Sequence, residues 1–229
     1  MLKQRIITAL ILAPIMIGGI FFLPVPEFMV FIGVIATLGA WEWANLSGIQ
    51  QTLGRVAYAG LIGGLLCGLH LYDLEQEAEI LYVAFAWWIL AFALVVTHPK
   101  AVSLWGSSLV RMIMGVVIIV PMWVGFVQIK SYPFSDFLIM FVMFVVWGAD
   151  VGAYFAGRKF GKRKLAPNVS PGKSWEGVYG GVATTLIIAA LAGMFLQEKT
   201  TLVLSFDQWL ILFAVTLIVT AVSVIGDLI

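Results

Sequence analysis

The residues best suited to chemistry lie in one polar stretch, Asp150–Gly181, of an otherwise apolar sequence. Six of the thirteen basic residues fall between Arg158 and Lys173, with no acidic residue among them. Such a run can hold a membrane protein against anionic lipid, or it can gather phosphates through charge-assisted hydrogen bonds. Three neighbouring features bear on the choice. The first is Asp150, inside an apolar run and about 10 Å from its end at Gly157, at about 1.5 Å per residue. A carboxylate at that depth is costly unless it faces a cavity, a cation or a bonding partner. Tyr154 follows one turn later on the same face, and Gly148, Gly152 and Ala156 recur every four residues, which lets another helix come close.

The second feature is Ser170-Pro171-Gly172-Lys173-Ser174-Trp175-Glu176-Gly177. It contains Gly-Lys-Ser, but Pro167 stands where a Walker A loop needs its first glycine, and no strand is expected before it. Instead, Ser170 is expected to cap a helix that begins at Pro171. The free N–H groups of that first turn, with Gly172, Lys173 and Ser174, would then suit a phosphate. Glu176 is placed either against Lys173 or on a metal. The third feature is Asp227, at the end of the last apolar run. It is either a solvated helix-end residue or a metal ligand; the negative end of a helix dipole disfavours a carboxylate and favours a cation beside it. Asp150 and Asp227 in one cavity could share divalent cations, and their hard oxygens suit Mg²⁺, which also takes substrate phosphates.

These residues must be positioned by membrane helices. Of 229 residues, 62% are hydrophobic and 11% charged, with a net charge of +1. Soluble domains carry about 25% charged residues, so an ordinary soluble domain, a disordered chain and a basic nucleic-acid binder are excluded. One cysteine, Cys67, excludes an internal disulfide, and two histidines argue against a His-rich metal site. A bilayer span needs about 20 mainly apolar residues. Eight runs qualify: Ile6–Leu23, Phe28–Ala44, Val56–Tyr72, Ile80–Thr97, Leu109–Ile129, Phe137–Gly157, Val178–Leu196 and Trp209–Ile229. The expectation is an all-α, polytopic transmembrane bundle forming one integral domain over residues 1–229. Spans within 1–129 precede a catalytic-type core at 137–229. The first run is expected to be a retained helix, because Leu23-Pro24-Val25-Pro26 is no signal-peptide cleavage site.

Basic residues set the orientation. With the N-terminus cytoplasmic, eleven of the thirteen fall on the cytoplasmic side: Lys3, Arg5, Arg55, Lys100, Arg111 and the six from Arg158 to Lys173. Only Lys130 and Lys199 fall opposite, with Asp73, Glu75, Glu77 and Glu79. Trp41, Trp43, Tyr72, Trp123, Tyr132, Trp175 and Trp209 are expected at the interfaces, and Glu42 and Arg111 are read as interfacial too. Gly60, Gly63, Gly64 and Gly68 are expected to pack against another helix. Cys67, His70 and His98 show no partner spacing and are read as packing or interface residues.

In these residues the sequence resembles the phosphatidate cytidylyltransferase (CDP-diacylglycerol synthase) family of bacterial membranes. The resemblance is carried by Asp150 with Gly152 and Tyr154, by Gly157-Arg158-x-Phe160-Gly161-Lys162, by Ser170-Pro171-x-Lys173-Ser174-x-Glu176-Gly177 with Gly180-Gly181, and by Gly226-Asp227-Leu228. It implies a multi-pass protein of the bacterial inner membrane with its active face cytoplasmic. It implies transfer of the cytidylyl group of CTP to phosphatidic acid, giving CDP-diacylglycerol and pyrophosphate. Under it, Asp150, Lys173 and Asp227 are catalytic. Asp150 and Asp227 hold Mg²⁺, with Glu176 a third candidate, and Arg158, Lys162, Lys164, Ser170, Gly172, Lys173 and Ser174 meet the phosphates. CTP, phosphatidic acid and surrounding lipids are the expected partners, with no nucleic acid, and a homodimer stays open. Family members continue beyond the Gly-Asp-Leu with a further cytoplasmic segment, so a longer native chain is expected. An inactive relative, a scaffold or an ion-coupled transporter using Asp150 are the alternatives.

Overall fold

The computed structural model describes residues 2–99, 105–201 and 203–228. Lys100 and Ile229, and the side chains of Lys3 and Arg5, lie outside the described residues. The elements are α1 (Leu2–Phe22), α2 (Val25–Leu46), α3 (Thr52–Leu71), α4 (Ala78–Thr97), α5 (Ser108–Lys130), α6 (Ser135–Phe160), the strands β1 (Lys164–Ala166) and β2 (Ser170–Ser174), then α7 (Trp175–Lys199) and α8 (Phe206–Gly226). Each expected apolar run is a helix, and the ends agree within a few residues. Seven of them, α2 to α8, are long and apolar enough to cross a bilayer. Lipid supplies no hydrogen-bond partners, so a run of this length must satisfy its own backbone as a helix. The chain is a polytopic helical membrane protein. Its one non-helical element of regular structure among the described residues is the short β1–β2 hairpin.

Two compact units are present. One comprises Met1–Trp87 with Ser103–Ile139, the other Trp88–Val102 with Met140–Ile229. The core of the first is α2, α3 and α5. On α2 the buried residues are Phe28, Ile32, Ala36, Ala40 and Ala44, one per turn, so a single stripe faces inward. Tyr58, Ala59, Ile62 and Leu66 of α3 and Ile119, Trp123, Val124 and Val127 of α5 meet it. Indole and phenol groups bond backbone carbonyls across this core: Trp43 Nε1 to Arg111 O at 2.7 Å, Tyr58 Oη to Met112 O at 2.7 Å and Trp123 Nε1 to Met29 O at 3.0 Å.

Several sequence expectations change here. Trp123 is 2% exposed and belongs to the core, not to the interface; its N–H finds a carbonyl inside the bundle. Of the four glycines expected to pack, Gly63 alone approaches another helix, since a Cβ there would meet Thr37 at 3.5 Å, whereas Gly60, Gly64 and Gly68 face open space. They form an i, i+4 row away from the Tyr58–Leu66 face that carries the packing. His70 does have a partner: its Nδ1 lies 3.0 Å from Oε1 of buried Glu75. Lys130, expected in a loop, is instead buried. Its ammonium donates to Ile20 O at 2.5 Å and Asp136 Oδ1 at 2.6 Å, and lies over the Phe28 ring. Arg111 donates to the carbonyls of Gly106 and Trp105, and so ties down the chain ahead of α5.

Candidate active site

The second unit is built on close backbone approach. Gly152 and Gly180 bring α6 and α7 together so tightly that a Cβ on Gly152 would lie 2.6 Å from Gly180 O. Small residues spaced by four permit this in a membrane, where packing rather than water drives association. α7 and α8 meet through hydroxyls: Thr220 Oγ1 donates to Thr216 O at 2.7 Å and lies 3.0 Å from Thr185 Oγ1. All three threonines are buried, with their polar groups satisfied locally.

At one end of α6, α7 and α8 lies a cavity of 430 Å³, lined in part by the hairpin. Asp150, Tyr154 and Arg158 line it from α6, spaced one turn apart. Gly172, Lys173 and Ser174 line it from β2, Gly177 from α7 and Asp227 from the end of α8. Asp150 is exposed, so its carboxylate has access to this space. Arg158 Nη1 donates to Tyr154 Oη at 3.2 Å. Lys173 Nζ lies 2.9 Å from Asp227 Oδ2 and donates to Asp227 O at 2.7 Å. Lys173 is thus held at the end of α8, 54 residues away in sequence. The pair is partly exposed, so it contributes at most about 1 kcal/mol to stability and is readily exchanged for other partners.

The local structure around Lys173 differs from the expectation. Ser170 and Pro171 do not open a helix; they belong to β2, and α7 begins at Trp175 with Ser174 as its cap. Ser174 Oγ accepts from Gly177 N at 3.2 Å. Both serines suit a cap, but Glu176 falls in the first turn only if the helix starts at Trp175. β1 pairs antiparallel with β2, Lys164 opposite Ser174 and Ala166 opposite Ser170. One residue of β1 lies between those pairs against three of β2, so Pro171, Gly172 and Lys173 form a bulge. Proline has no N–H for the ladder and is at home there.

Glu176 reaches neither Lys173 nor the cavity wall. Its Oε2 accepts from Lys162 N at 3.0 Å and Arg163 N at 3.2 Å. Trp175 N donates to Arg163 O at 2.9 Å, and the Arg163 guanidinium lies 5.3 Å from the Trp175 ring centre. Lys162, Lys164 and Ser170 do not line the cavity; Arg158, Gly172, Lys173 and Ser174 do. No group of three or more His, Cys, Asp or Glu side chains placed to hold a metal ion occurs among the described residues. A metal here would rest on Asp150 and Asp227, with its remaining positions left to water or substrate. That donor set suits Mg²⁺, which is commonly held by one or two carboxylates together with phosphates. The Tyr154–Arg158 bond and the Thr185–Thr220 contact were not anticipated; the first is readable as an i, i+4 pair, while the second joins two helices and has no local signal.

The sequence matches known proteins in the same terms. A phosphatidate cytidylyltransferase of Pseudomonas aeruginosa is 55% identical over 184 residues, covering 80% of this chain and 67% of that protein. One of Haemophilus influenzae is 35% identical over all of this chain and 84% of its own length. One of Bacillus subtilis is 26% identical over all of this chain and 82% of its own length. Residues 3–229 match the cytidylyltransferase family. With that match over nearly its whole length, and two relatives at 35% identity or more, the chain belongs to the cytidylyltransferase family.

Proposed function

We propose that the chain transfers the cytidylyl group of CTP to phosphatidic acid, releasing pyrophosphate and forming CDP-diacylglycerol. A phosphate oxygen of phosphatidate attacks the α-phosphorus of CTP. The bond from that phosphorus to the bridging oxygen of the β-phosphate breaks, and pyrophosphate carries the electron pair away. The nucleophile is already an anion, so the reaction needs no strong base. It needs crowded negative charges brought together and neutralised.

The observation that carries this reading is the cavity in which Asp150, Arg158, Lys173 and Asp227 meet at one end of apolar helices. Arg158 and Lys173 supply the cations for the phosphates. The bond from Arg158 to Tyr154 orients the guanidinium. Lys173 is held by Asp227 until a phosphate takes its place. Asp150 and Asp227 would hold Mg²⁺, which when bound neutralises phosphate oxygens as a Lewis acid. The basic residues crowd this end of the chain, so the cavity faces the cytoplasm of a bacterial inner membrane. There CTP arrives from water and the diacyl lipid arrives laterally.

The test is pyrophosphate release by the full chain in detergent with CTP, phosphatidate and Mg²⁺, beside Asp150→Asn. Turnover that needs both substrates and disappears in the folded variant is the expected result. Undiminished turnover by Asp150→Asn would remove the metal role. A folded wild type with no turnover would leave an inactive relative.

A further inference from the structure

We infer that Glu176 is a positioning residue that pins the register of the hairpin carrying Lys173, and is not a metal ligand. This rests on the proposed function only for its consequence in turnover. The hairpin has strands of three and five residues. A two-stranded hairpin of this size is marginal by itself. Its ladder is also interrupted, because β2 bulges between the Lys164–Ser174 and Ala166–Ser170 pairs. Register in a strand decides which face each side chain takes, and a slip of one residue turns every side chain over. A slip would turn Lys173 away from Asp227 and from the cavity.

The ladder alone is therefore a weak determinant of where Lys173 points. The base of the hairpin is closed by groups outside it. Glu176 accepts both Lys162 N and Arg163 N on one side, and Trp175 N donates to Arg163 O on the other. The Arg163 guanidinium over Trp175 adds a side-chain contact at the same level. Glu176 sits in the first turn of α7, two residues after the cap Ser174, so the closure is referenced to a rigid helix. Two backbone N–H groups hold the carboxylate outside the cavity that Asp150 and Asp227 line, away from where those two would hold a cation.

The experiment uses four variants of the full chain: Glu176→Ala, Glu176→Gln, Lys173→Ala and Glu176→Ala with Lys173→Ala. Amide hydrogen exchange at Lys162 and Arg163 reads the clamp without turnover. It should accelerate in Glu176→Ala and stay near wild type in Glu176→Gln, whose amide oxygen still accepts. In turnover, Glu176→Ala should lower kcat/KM for CTP by about tenfold, the scale of one charge-assisted hydrogen bond. Glu176→Gln should recover most of it, and the double variant should be no worse than Lys173→Ala, since both act through one side chain. The inference fails if exchange is unchanged in Glu176→Ala. It also fails if Glu176→Gln is as damaged as Glu176→Ala and needs more Mg²⁺, which would put the carboxylate on the ion. A wild type that does not turn over would overturn the proposed function, while the exchange result would still decide the clamp.

Discussion

Replacing Gly152 by alanine tests how the candidate site is assembled. The added methyl carbon would sit 2.6 Å from Gly180 O and 2.8 Å from Thr184 Cβ, and closer still to the Thr184 hydroxyl. Unstrained contacts of carbon need about 3.5 Å. Thr184 could rotate, although its hydroxyl would then give up the 2.9 Å bond to Gly180 O. The Gly180 carbonyl is helix backbone and cannot move alone. The helices must therefore separate locally by roughly 1 Å. Overpacking of this kind costs about 1–3 kcal/mol. Alanine's better helix propensity offsets about 0.5–1 kcal/mol of that, leaving a net loss of up to about 2.5 kcal/mol. Gly60→Ala is the control, because nothing lies within 4 Å of a Cβ at Gly60. It keeps only the propensity term and should be neutral or slightly stabilising. Unfolding of both variants in mixed detergent and dodecyl sulfate micelles measures the difference. Equal stability of Gly152→Ala and Gly60→Ala would refute the close approach of α6 and α7.

Lys173→Ala should lower kcat/KM for CTP by about 1–3 kcal/mol, the range of a hydrogen bond to a charged group; unchanged steady-state kinetics would mean the lysine only ties the hairpin to Asp227. Lys130→Met should lower the thermal midpoint, by about 1–3 kcal/mol in stability, because it leaves the Ile20 carbonyl without the buried ammonium that satisfies it. A midpoint equal to wild type would show that water or another donor replaces the lysine.

Much of the fold was legible in the sequence because the bilayer permits so few solutions. An apolar run of about 20 residues with no water to bond must close its own hydrogen bonds, so α2 to α8 could be placed within a few residues. The polar stretch Asp150–Gly181 was legible too, since charge is scarce in this chain and its position is informative. The order of Asp150, Tyr154 and Arg158 along one face of α6 follows from helical spacing alone.

What the tertiary structure decided are the choices that local chemistry leaves degenerate. Two glycine rows read alike, yet Gly152 of α6 lies against a neighbouring helix while Gly60, Gly64 and Gly68 of α3 face outward. Which row packs depends on the partner's surface, and that information lies elsewhere in the chain. Ser170 and Ser174 are both competent caps; strand pairing with Lys164–Ala166 takes up the first and leaves the cap to the second. Lys173 meets Asp227 across 54 residues, and Glu176 meets two amides rather than that lysine. Lys162 and Lys164 belong to the same basic run as Arg158 but miss the cavity that Arg158 lines. Composition can concentrate cations in one segment, but only the path of the backbone, here a bulged hairpin closed at its base, selects the ones that reach the site.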